Sequence, residues 1–169
     1  MIVYLHGFRS SPQSRKARMV GEAMAARGLS DEFLCPQLPA SPRAAAQLIE
    51  ATACLEDPQR LSLIGSSLGG YYATWAAERI GCRAALLNPA ISPYEGLREH
   101  LGTQQVFFSE QTIDVKPEYM DELRALGREL EQDVLGEVVA AYRKLAPELL
   151  VQMTEAASSR SLEALARAA

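Results

Sequence analysis

The chain has 169 residues, with 17 lysines and arginines against 21 aspartates and glutamates and a net charge of −4. That length fits one domain, 1–169, with a sizeable core. An acidic balance without a basic stretch argues against nucleic acid as a partner. No apolar run reaches the ~20 residues of a membrane helix, and the N-terminus lacks a signal peptide's charged and apolar regions. Cys35, Cys54 and Cys82 are widely spaced with no C-x-x-C pair, which reads as reduced thiols of a cytoplasmic protein. With two histidines and scattered cysteines, no metal or other cofactor is implied.

Ile2-Val3-Tyr4-Leu5 is a continuous, partly β-branched apolar run and reads as a strand. A helix is expected over Ser14–Arg27, with Met19, Ala23 and Met24 facing a sheet and Gly28 ending it. The basic cluster Arg15-Lys16-Ala17-Arg18 at its start reads as a solvated face. Glu32–Cys35 is a second strand. Ser41 as N-cap and Pro42 in the first turn open a helix whose apolar face is Leu48, Ile49 and Leu55. Leu61, Leu63 and Ile64 form a third strand, and Tyr72, Trp75, Ala76 and Ile80 follow at helical spacing. A further strand covers Ala84–Leu87. Such alternation implies a parallel sheet covered on both faces, with Ile2–Leu5 and Leu61–Ile64 as adjacent central strands. From Pro117 the pattern changes. Tyr119, Leu123, Leu126, Leu130, Val134, Val138, Tyr142 and Leu145 recur every three or four residues, as in one or two amphipathic helices broken near Gly127 or Gly136. Pro147 ends this stretch. Glu148–Gln152 is a candidate strand and Ser161–Ala168 a closing helix.

Gly65-Ser66-Ser67-Leu68-Gly69 fits the G-x-S-x-G pattern of a nucleophile elbow. The bland alternative is a glycine-rich turn without chemistry, but a strand pattern precedes the motif and a helix pattern follows it. Ser67 is therefore expected on a sharp strand-to-helix turn, its hydroxyl exposed at the sheet edge. Gly65 and Gly69 let strand and helix approach closely, and the Leu68 N–H at the helix start points toward an oxyanion. His6-Gly7-Phe8 follows the first strand, where such folds place the second oxyanion donor, so the Phe8 N–H is the candidate. His6 is expected to brace that loop rather than act as a base. Tyr71, Tyr72 and Trp75 read as core rather than substrate contacts.

Leu5-His6-Gly7-Phe8-Arg9-Ser10-Ser11-Pro12 and Ile64–Trp75 together resemble the small bacterial α/β-hydrolases of the YqiA/YcfP type. Pro36-Gln37-Leu38-Pro39, Leu87-Asn88-Pro89-Ala90 and Gln111-Thr112-Ile113-Asp114-Val115 are similar too, so the resemblance covers roughly residues 1–126. It implies an α/β-hydrolase-like three-layer sandwich with a mostly parallel sheet. It also implies a serine esterase of broad range acting on small carboxylic esters. Ser67 is then the nucleophile, Phe8 and Leu68 are the backbone oxyanion donors, and the partner is a small-molecule ester.

The segment 127–169 departs from that pattern. The family carries a late acid and then a histidine in a Gly-x-His-type loop after the final strand. Met153-Thr154-Glu155-Ala156-Ala157 stands where a Gly-Asp turn is expected, and Glu155 is the nearby carboxylate. No histidine follows His100, so the final strand and the histidine loop read as missing. His100 itself reads as a surface histidine ending a short cap helix or loop. A serine without a base is a poor nucleophile. An oxyanion hole and binding alone leave about 10³–10⁴-fold catalysis over water, and a complete triad adds roughly 10⁶ in one well-studied serine hydrolase. Three readings stay open: an esterase whose base is missing or comes from elsewhere, a catalytically impaired α/β-hydrolase-fold binding protein, and a truncated product.

Overall fold

Residues 1–130 are described by the structure, a computed structural model. Gly136, the candidate strand Glu148–Gln152, Glu155 and the helix Ser161–Ala168 lie outside them.

Strand β1 spans Ile2–Leu5, with Val3, Tyr4 and Leu5 almost fully buried. An unbroken apolar run of this kind suits a parallel strand covered on both faces. Helix α1 covers Arg15–Ala25, with the Ser14 hydroxyl accepting from the Ala17 N–H at 3.4 Å. A short 3₁₀ turn at Ser30–Glu32 leads into β2, Phe33–Leu34. Helix α2 runs over Pro42–Ala53, capped by Ser41 with Pro42 in the first turn as the sequence indicates. Next come β3 at Ser62–Ser66, α3 at Leu68–Ile80 and β4 at Arg83–Leu87.

The four strands pair in the order β2-β1-β3-β4, every pair parallel. The α/β-hydrolase-like fold expected from the sequence is therefore observed, with β1 and β3 as the central pair. The register of this pair aligns the two loops that leave it. Ile2 pairs with Ser62 and Leu5 with Gly65, so the residues two steps beyond Leu5 and Gly65, namely Gly7 and Ser67, leave the sheet level with one another. Helix α3 packs on β1, β3 and β4, with α2 and the helix Glu118–Glu129 against it.

The second half holds α4 at Pro93–Gly96, a 3₁₀ turn at Leu97–His100, and the strands β5, Gly102–Gln105, and β6, Thr112–Val115. β5 and β6 form a separate antiparallel hairpin. Helix α5, Glu118–Glu129, closes the described part. Among the described residues no helix is long and apolar enough to cross a membrane.

Three sequence expectations need correction. On α1 the sheet-facing side is Ala17 with half-buried Val20, Gly21 and Met24, whereas Met19 is 56% exposed and Ala23 is exposed. The ring of Phe33 lies where a Cβ on Gly21 would sit, at 3.0 Å, so small residues mark the contact face. Leu55 lies past the end of α2 and is 80% exposed, and the buried face of that helix is Ala45, Ala46, Ile49 and Ala53. Finally, α5 runs unbroken through Gly127. A Cβ there would lie 2.7 Å from the Tyr71 hydroxyl, so the glycine serves close packing rather than a break. That hydroxyl donates to the Leu123 carbonyl at 2.7 Å, tying α5 to α3.

Candidate active site

Ser67 occupies the junction between β3 and α3 at φ 54° and ψ −121°. L-residues rarely adopt such backbone, and holding one there costs about 1–3 kcal/mol. The surroundings over-determine it. The Ser67 N–H donates to the Leu87 carbonyl at 3.1 Å, and its carbonyl accepts from the N–H groups of Gly70 at 2.8 Å and Ala90 at 3.0 Å. The flanking glycines are sterically required. A Cβ on Gly65 would overlap the Gly69 carbonyl, and one on Gly69 would overlap the Leu5 carbonyl. With helix and strands this close, the Ser67 side chain is turned outward and the residue is exposed.

The register of β1 and β3 brings the second loop to the same point. A Cβ on Gly7 would sit 3.0 Å from the Ser67 Cβ and 3.6 Å from its Oγ. Phe8 and Leu68 line one small cavity of about 40 Å³ together with His6 and Tyr72. Phe8 and Ser67 also share a larger cavity of about 270 Å³. The elbow serine and the two residues expected to supply oxyanion donors thus converge on one region.

His6 is buried and fully engaged. Its Nε2 accepts from the Leu38 N–H at 3.0 Å, which puts the proton on Nδ1, facing the Gly7 carbonyl at 3.1 Å. Burial pushes its pKa below the ordinary 6.5, with the Gly7 hydrogen bond opposing. It braces the loop, as the sequence indicates. His100 stands at the end of a short turn, as expected, and is in contact with Phe8. It is half-buried at the end of the 3₁₀ turn, with its ring centroid 5.5 Å from that of Phe8. Tyr71, Tyr72 and Trp75 are buried core residues.

Several cavity residues escaped the sequence reading. Ser66, beside the nucleophile position, is buried, and Lys16 Nζ donates to its Oγ at 3.4 Å. The Tyr4 hydroxyl is hydrogen-bonded to the same side chain. Its pKa is raised by burial, and the Ser66 bond partly offsets this. Both Tyr4 and Lys16 line the larger cavity. Lys16 sits in a basic cluster whose spacing carries no sign of which side chain turns inward. Phe107, from the loop joining β5 and β6, completes the wall. A separate cavity of about 250 Å³ between α2, α3 and α5 is lined by the charged side chains of Arg43, Glu50, Arg79, Glu122 and Glu129, and it lies away from the elbow.

Residues 1–141 match an uncharacterised protein family, UPF0227. The chain belongs to this family. This UPF0227 chain is also similar in fold to two solved structures. One is a provisionally named hydrolase from Agrobacterium vitis S4, at 16% identity and a TM-score of 0.54, with 74% of this chain and 60% of that one covered. The other is a structure from work on LipS and LipT, two metagenome-derived lipolytic enzymes, also at 16% identity and a TM-score of 0.54, with coverages of 76% and 66%. The chain thus spans less than two thirds of the length of either structure.

Proposed function

We propose that this UPF0227 chain is a serine hydrolase of small carboxylic esters, with Ser67 as the nucleophile and the Phe8 and Leu68 N–H groups as oxyanion donors. The observation that carries this reading is the backbone of Ser67, held at φ 54° between glycines that admit no side chain, with the Gly7-Phe8 loop against it. A turn without chemistry has no need of a strained, outward-facing serine. In the reaction Ser67 Oγ attacks the ester carbonyl carbon as its proton passes to solvent water, and the carbonyl oxygen becomes an oxyanion held by the two amides. The alkoxide or phenoxide then leaves, and water hydrolyses the acyl-serine.

The proton of Ser67 sets the expected rate. Both His6 nitrogens have other partners, and His100 rests against Phe8. Among the described residues neither is hydrogen-bonded to the serine. These placements favour slow turnover of activated esters, and they equally support the second reading, a catalytically impaired α/β-hydrolase-fold binding protein. A fluorophosphonate probe with peptide mapping separates the two. The hydrolase reading expects a Ser67 adduct, plus weak hydrolysis of p-nitrophenyl acetate that Ser67→Ala abolishes. An adduct on Ser66, or labelling unchanged in Ser67→Ala, overturns it. Robust turnover lost in His100→Ala would identify His100 as the base and end the impaired reading.

A further inference from the structure

We propose that Arg9 latches the oxyanion loop to the β5–β6 hairpin and so sets the geometry at Ser67. The catalytic meaning of this latch rests on the reading of Phe8 as an oxyanion donor. Arg9 directly follows Phe8 and stands at φ 56°, in the left-handed region that non-glycine residues seldom occupy. Such a conformation persists where contacts enforce it, and three contacts do so here. The Arg9 carbonyl accepts from the Phe107 N–H at 2.7 Å. Its Nε donates to the Gln105 carbonyl at 2.7 Å. Its guanidinium lies over the Phe107 ring, 4.5 Å from the centroid.

All three contacts go to the end of β5 and the loop after it, almost a hundred residues along the chain. The hairpin is closed there by its own contacts. Val106 is buried, and its N–H donates to the Gln111 carbonyl at 2.9 Å, closing the hairpin loop. The other end of the oxyanion loop is fixed by His6 through Leu38. Phe8 lies between these two anchors, and His100, from the turn just before β5, covers its ring. Phe107 also lines the Ser67 cavity. The hairpin therefore both shapes the cavity and holds Arg9, the residue directly after the candidate oxyanion donor Phe8. Arg9 is a positioning residue, because its own contacts run to the hairpin.

The test measures loop order and serine reactivity separately. Hydrogen–deuterium exchange of peptides covering residues 5–14 and 102–115, and the rate of fluorophosphonate labelling at Ser67, are compared in the wild type, Arg9→Ala, Arg9→Lys and the control Arg18→Ala. Arg9→Ala is expected to raise exchange in both peptides by about tenfold. It should also slow Ser67 labelling by roughly ten- to a hundredfold, the scale of a small misplacement of catalytic groups. Arg9→Lys keeps a cation over Phe107 but loses the planar fork, and should fall between. Arg18→Ala should match the wild type. Unchanged exchange in Arg9→Ala overturns the latch whatever the labelling does. Increased exchange with unchanged labelling overturns its positioning role. A wild type that never labels overturns the nucleophile assignment instead, while the exchange measurement still decides the latch.

Discussion

The elbow and the hairpin meet at one site but are built in opposite ways. Around Ser67, β1, β3 and α3 are locked by steric necessity. Glycines face carbonyls, Tyr71 to Ala76 are buried, and the backbone hydrogen bonds of Ser67 reach β4 and the turn at Ala90. The segment from Pro93 to Val115 carries little core. Phe107 is 53% exposed, Phe108 fully so, and β5 and β6 bury only Val115. Its order near the site comes from a few polar and cation–π contacts around Arg9. The candidate nucleophile thus rests on packing, and the surface facing it rests on separable interactions. Change in the second region alters what approaches the serine without unfolding the first.

Glycine substitutions test that contrast most severely. Gly69→Ala forces a methyl into the Leu5 carbonyl. It should destabilise the chain by more than about 3 kcal/mol, the upper end of overpacking. Gly96→Ala, in the other region, has open space around the new Cβ and a helical φ of −68°. It should be neutral or stabilising by roughly 0.4–1 kcal/mol. Urea melts of both variants check this, and equal losses would erase the distinction between the regions.

A smaller effect sharpens it. If the elbow backbone is strained for the sake of its side chain, Ser67→Gly should stabilise the fold by about 1–2 kcal/mol, because glycine adopts φ 54° without penalty. The melting temperature should rise while fluorophosphonate labelling is lost. A fall in melting temperature would mean that the turn is relaxed.

The mildest expectation concerns pH. Burial lowers the folded-state pKa of His6 below 6.5, so the unfolded chain takes up the proton first. The stabilisation from neutral His6 is complete above pH 6.5 and is lost as pH falls from there toward the lowered folded value. Urea midpoints at roughly pH 5.5 and 7.5 should differ less in His6→Gln than in the wild type. An identical pH dependence in the two proteins would show that His6 does not carry it.

What the sequence made legible divides along the same line. Ile2–Leu5 is readable because a parallel strand buried on both faces appears as an unbroken apolar run, and the elbow strand and the helix after it show in apolar Leu61, Leu63 and Ile64 and in the helical spacing of Tyr72, Trp75, Ala76 and Ile80. The glycines around Ser67 also have a steric signature. Pro42 after Ser41 marked α2 for similar local reasons. The hairpin was not readable, because Gly102-Thr103-Gln104-Gln105 has no alternation to declare a strand. The contact face of α1 does not show in the sequence because small residues form it, while the larger Met19 is exposed. Lys16 reaches the site and Arg9 the hairpin by tertiary approach, which no spacing along the chain encodes. Phe8 and Leu68 follow the ends of β1 and β3, which the register of the two strands brings together.

The contact between Gly127 and Tyr71 carries a further consequence, for variation across the family. The helix that follows Ser67 is held by α5, and the space for a methyl at position 127 is taken by one phenolic oxygen. Removing that oxygen, as in Tyr71→Phe, opens the space for Ala at 127, at the expense of a buried hydrogen bond to the Leu123 carbonyl. The two positions are therefore expected to evolve as a linked pair, with glycine and tyrosine together or alanine and phenylalanine together, and the mixed combination of alanine with tyrosine avoided.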